Sequence, residues 1–104
     1  ALAGAVTVRA DDGGWRPLVE GVQVKLLACD PAAGRRCFLL RMEPGAILPS
    51  HAHDRPEECL MLEGDIAFGE LELKAGDFQY LPAGVSHPAG VSRGGCVAYV
   101  SGSL

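Results

Sequence analysis

The chain has 104 residues, 48% of them hydrophobic and 21% charged, with a formal charge of −4 at pH 7. That length holds a single hydrophobic core, and that composition excludes a disordered chain. Two lysines and seven scattered arginines leave no basic footprint for nucleic acid, and no apolar run reaches the length of a membrane span or marks a signal peptide.

Fourteen glycines and seven prolines break the chain about every eight to twelve residues, which is the rhythm of an all-β sandwich or barrel. No window shows helical periodicity with caps. Residues 1–14, in which Val6–Arg9 alternates, read as a lead-in segment, and residues 15–104 as one domain. Val22–Cys29 is an apolar strand, residues 30–36 a turn, and Cys37–Glu43 the returning strand, which Pro44 and Gly45 end. A short turn at Asp54, Arg55 and Pro56 leads into a strand over Glu57–Leu62. Gly64 and Asp65 read as a tight hairpin turn. Ile66–Lys74 follows with a break at Gly69, then a turn at Ala75–Asp77 and a strand over Phe78–Leu81. Pro82 and Gly84 break that strand, and Cys96–Val100 is the last one. Cys29, Cys37, Cys59 and Cys96 lack CxxC spacing and read as reduced thiols of a cytoplasmic protein, with a bridge between Cys29 and Cys37 as the alternative.

The chemistry lies in the histidines, of which there are three: His51, His53 and His87. Residues two apart on a strand share a face and stand about 7 Å apart along the chain, so His51 and His53 converge on one point. Glu57 follows after a turn that returns its carboxylate to that side. His87 comes from a separate segment just after Pro82 and Gly84. Three neutral imidazoles and a carboxylate make a borderline donor set suited to one divalent metal ion, Zn, Fe(II), Mn, Ni or Co. On a six-coordinate ion they leave two positions open. A lone pair of histidines on a surface strand is more often solvated than ligating. Here a carboxylate and the third histidine recur at fitting places, and that favours ligation.

These residues resemble a known family. Gly45 to Gly64, with His51, His53 and Glu57 between them, resembles the first cupin motif, G(X)5HXH(X)3–4E(X)6G. Gly76 to His87, with Pro82 and Gly84, resembles the second, G(X)5PXG(X)2H(X)3N, except that Val91 stands where the motif ends in Asn. The resemblance implies a small jelly-roll or double-stranded β-helix barrel with the metal ligands His51, His53, Glu57 and His87. Glu58 competes with Glu57, and the spacing to Gly64 decides for Glu57. Alternation then points Glu57, Cys59 and Met61 inward and Glu58, Leu60 and Leu62 outward. Phe78 and Tyr80 share one strand face. With Cys59 and Met61 they are the candidate pocket lining, against the plainer reading of all four as barrel filling.

Trp15–Pro17, Gly21–Leu27, Phe38–Gly45 and Gly94–Cys96 resemble the ChrR-like cupins, which extends the likeness over nearly the whole chain. Trp15 reads as a core or lid residue. The group implies two functions: the sensory half of a zinc-dependent anti-sigma factor, or a small Fe(II) dioxygenase cleaving a diketone or similar carbonyl compound. Either takes a small-molecule ligand or substrate in the barrel. The anti-sigma reading also implies an attached N-terminal sigma-binding domain, whose HxxxCxxC sequence is absent from this chain; Ala1 as first residue agrees with a sensor piece. With every histidine assigned to metal, none is left as a general base, which argues against hydrolysis. A homodimer is expected through outer faces bearing Leu60, Leu62 and the outward side of Val22–Leu26.

Overall fold

The computed structural model describes residues 2–52 and 54–102, with His51 described in its backbone alone. Eleven strands and no helix occur among them: β1 (Trp15–Val19), β2 (Val22–Asp30), β3 (Arg35–Met42), β4 (Ile47–Leu48), β5 (His51–Ala52), β6 (Glu57–Phe68), β7 (Leu71–Lys74), β8 (Phe78–Leu81), β9 (Ser86–His87), β10 (Gly90–Val91) and β11 (Cys96–Gly102). The main sheet runs β1-β2-β3-β11-β6-β10-β4, with β7 and β8 also paired to β6; β5 and β9 form a separate ladder. All pairings are antiparallel. The sheet curls into a nearly closed barrel, so the fold is all-β, as the sequence implies.

Period-two alternation fills the barrel. Val22 of β2, Phe38, Leu40 and Met42 of β3, Met61 and Ile66 of β6, Leu73 of β7, and Cys96, Ala98 and Val100 of β11 are its buried apolar residues. Their neighbours in sequence, such as Arg41 and Leu60, face out.

The twelve-residue strand β6 organises the rest. Glu57 to Leu60 pair with β8, Asp65 to Phe68 pair with β7, and β11 lies along most of the opposite edge. The change of partner falls at Gly64. There the expected hairpin turn is absent and the strand runs on with a bend. Gly64 has φ of 76°, and a β-carbon on it would collide with the carbonyl oxygen of Gly95 and stand 2.8 Å from Cys96 Cα. Glycine inside a strand marks such a corner, where two backbones meet. Asp65 then fastens the loop before β11: its carboxylate accepts the amides of Arg93 (3.0 Å) and Gly94 (3.2 Å). The hairpin turn lies five residues later, at Gly69 and Glu70. Gly69, with φ of 63°, takes the first central position, where a two-residue turn calls for glycine.

The alternation at Val6–Arg9 does not produce a strand. The lead-in segment is instead tied by Lys25, which lies on β2, is only 4% exposed, and donates to the carbonyls of Arg9 (2.9 Å) and Ala10 (3.4 Å). Trp15 is not a core or lid residue. It pairs across from Lys25, half-buried on the outer face, with the Arg41 guanidinium 4.0 Å above its ring. All four cysteines are free thiols.

Candidate metal centre and ligand cavity

The short ladder between β5 and β9 places His51 directly opposite His87 in the backbone register. Two segments 36 positions apart in the chain thus meet at the two positions where the histidine pattern demands it. His87 is 6% exposed. Its Nδ1 lies 2.7 Å from the carbonyl oxygen of Pro88, an atom that can only accept, so Nδ1 carries the proton and donates. In the neutral ring the lone pair is then on Nε2, the arrangement that second-shell carbonyls impose on ligating histidines. Phe68 packs against the ring edge-on, with centroids 4.8 Å apart at 62°. Gly90 leaves room for that contact: a β-carbon on it would stand 2.7 Å from Phe68 Cε1 and 2.8 Å from Ile66 Cδ1.

Glu57 opens β6 across from Leu81, and its neighbour Glu58 pairs with Tyr80. The two carboxylates part here. Glu57 and His87 line one cavity of about 310 Å³ inside the barrel, whereas Glu58 lies on the other face beside Arg35, Arg55 and Tyr80. The cavity walls are mostly apolar, with Phe38, Leu40, Met61 and Val100 among them. Cys59 also lines it, and its thiol is pushed up to about 12, first by burial, then by the Glu57 carboxylate and by Cys96. In the metal-free chain it is therefore a neutral thiol at pH 7. Cys96 is raised as well, chiefly by burial.

Glu57, His87, Cys59 and Met61 border the same space, and the backbone of His51 lies opposite His87; His53 and the His51 side chain lie outside the described residues. Among the described residues, no three His, Cys, Asp or Glu side chains gather in one group. Phe78 and Tyr80 do not line the cavity. They do share a face, but it is the outer one, 56% and 52% exposed. The pairing of Cys59 with Gln79 fixes this, because residues opposite one another on paired strands share a side. Gln79, not marked by any sequence motif, is the β8 residue in the cavity wall. Its only sequence signal is its position between two residues of the opposite face.

An all-antiparallel barrel around an apolar cavity, with a tautomer-fixed histidine and a carboxylate from separate segments on its wall, defines a cupin. A family model described as the ChrR Cupin-like domain matches residues 3–103, and the chain belongs to that family. Among solved structures it is similar to a chain of the Rhodobacter sphaeroides complex of SigE with the anti-sigma ChrR. That match has 25% identity and a TM-score of 0.78, and covers 91% of this chain and 51% of the other. The chain thus spans about half the length of that relative. Acetylacetone dioxygenase from Acinetobacter johnsonii shares the fold at 20% identity and TM-score 0.82, covering 91% of this chain and 71% of the other. KdgF from a Halomonas species shares it at 20% identity and TM-score 0.77, covering 97% and 96%. No curated protein matches the chain by sequence.

Proposed function

We propose that this barrel binds one divalent metal ion through His51, His53, Glu57 and His87 and acts as the ligand- or stress-sensing module of an anti-sigma-factor-like protein. The observation that carries the metal reading is the meeting of Glu57 and His87 on one cavity wall, with His51 in register opposite His87. The donor set fits the ion: His87 is held by Pro88 with Nε2 as its basic nitrogen, and Glu57 adds a carboxylate on the same wall. When bound, the ion supplies a Lewis-acidic centre with open positions for an oxygen of the ligand. The protein's part is to orient the imidazole and carboxylate, and to surround the open positions with apolar walls. Membership of the ChrR Cupin-like family and the likeness to the SigE–ChrR structure support the regulatory role. In that role sigma binding belongs to a part of the protein additional to this barrel.

The apolar cavity favours a second reading, a mononuclear non-haem dioxygenase acting on a diketone or similar small carbonyl compound, to which the shared fold of the acetylacetone dioxygenase adds support. Metal stoichiometry of the purified protein, followed by oxygen consumption of the Fe(II)-loaded form with acetylacetone, tests both. One equivalent of zinc and no oxygen uptake supports the sensor. Rapid uptake supports the enzyme. Failure to hold any divalent metal overturns both.

A further inference from the structure

We infer that Gln79 is the specificity-determining residue of the barrel cavity, selecting a small, mostly apolar ligand that carries a carbonyl or hydroxyl oxygen over a purely hydrocarbon one. This rests on the proposed reading only in requiring that the barrel interior accept a small ligand; it does not require the metal. Among the described residues on the cavity wall, Glu57, His87 and Gln79 alone carry side-chain nitrogen or oxygen. Glu57 and His87 have other partners. Among the described residues none hydrogen-bonds the half-buried Gln79 side chain, although Gln23, on the outer face, is engaged by Arg41. An amide offers two donors and an acceptor, and an apolar wall answers none of them. The register puts Gln79 opposite Cys59, with Met61 and Val100 as further apolar wall, where an aliphatic side chain would fill the space without a polar cost. A site built to hydrogen-bond an oxygen rejects the analogue lacking it, because its own polar group is then left unpaired. Glu57 lies two residues back along β6, about 7 Å at the rise of an extended strand. A ligand oxygen at Gln79 leaves the hydrocarbon body of the ligand against the apolar remainder of the wall.

The chain holds two glutamines and no asparagine, so its side-chain amide spectrum contains Gln23 and Gln79 alone. Titrating ¹⁵N-labelled protein with acetophenone and with α-methylstyrene, in which a CH₂ replaces the carbonyl oxygen, reads the inference directly. The Gln79 amide resonances, identified by their absence in Gln79→Leu, should move with acetophenone while those of Gln23 stay in place. Acetophenone should bind about 3–10-fold more tightly than α-methylstyrene, the ratio a single neutral hydrogen bond supplies. In Gln79→Leu that ratio should fall to one, and the ligand-free variant should melt higher than wild type, an outcome that also shows it is folded. A Gln79 amide that stays still while either compound binds overturns the inference. So does a ratio that persists in Gln79→Leu, or the binding of neither compound at millimolar concentration. Repeating the titration with His87→Ala separates the two readings: a variant that keeps the ketone preference upholds Gln79 whatever becomes of the metal, and one that loses it along with the metal ties the preference to the ion and overturns the assignment to Gln79.

Discussion

Replacing Gly64 by alanine tests whether the barrel depends on the bend in β6. Two costs arise. The backbone sits at φ of 76°, and an L-residue in the left-handed region costs about 1–2 kcal/mol. The new methyl collides with the Gly95 carbonyl and approaches Cys96 Cα at 2.8 Å, both backbone atoms that cannot rotate aside. Forcing such a shift adds about 1–3 kcal/mol. The sum, about 2–5 kcal/mol, is a large share of the roughly 5–15 kcal/mol that holds a domain folded. For a chain of this size each kcal/mol moves the melting temperature by about 4–8 °C, so the fall should be at least about 8 °C. Gly13→Ala is the control: φ is also 76°, and nothing lies within 4 Å of its β-carbon. Differential scanning calorimetry of both variants separates the steric cost from the conformational one. Equal melting temperatures for Gly64→Ala and Gly13→Ala would refute the argument that β6 and β11 approach too closely at this corner for any side chain.

Three further outcomes are expected. Burial disfavours the Cys59 thiolate, so the folded chain keeps a proton that the unfolded chain releases above pH 9.0, and the associated stability is full below that pH and lost as pH climbs toward about 12. At 1.36 kcal/mol per pH unit the ceiling is about 4 kcal/mol; urea midpoints at pH 8 and above should fall more steeply for wild type than for Cys59→Ala, and parallel curves would contradict this. Lys25→Met keeps the apolar stem of the side chain but removes the donor to Arg9 and Ala10, so trypsin should cut after Arg9 several-fold faster with little change in melting temperature; an unchanged cleavage rate would mean that the lead-in segment is held by other contacts. Glu57→Gln should weaken zinc binding by at least about tenfold, the loss seen even for outer-shell partners, while Glu58→Gln should not; equal effects in competition titrations would remove the inward assignment of Glu57.

The sequence made the fold legible because glycine and proline punctuation, strand length and period-two alternation are local signals. The pairing of two histidine segments was legible because the spacing on each is local as well. What it hid was set by partners elsewhere in the chain. Gly64 has turn chemistry, but its positive φ serves a bend within one strand, and only the approach of Gly95 and Cys96 reveals the difference. Phe78 and Tyr80 share one face, as alternation implies, but that face is the outer one, since the phase of β8 is fixed by its register with β6 and one residue reverses it. The phase of β6 itself was readable because the spacing from Glu57 to Gly64 fixed it. Trp15 looked like a core residue by composition, yet its partners are Lys25 and Arg41, both charged and both distant in sequence. Gln79 carries no motif at all, and its importance appears only when the surrounding wall is seen to be apolar.

The most direct measurement is an anomalous difference map from crystals of zinc-loaded protein, collected at the zinc edge. It should show a single peak inside the barrel, about 2.0–2.2 Å from His87 Nε2 and from a carboxylate oxygen of Glu57, with His87 Nδ1 still donating to Pro88. A peak confined to the outer surface, or one bound by His51 without His87, would contradict a shared interior metal centre.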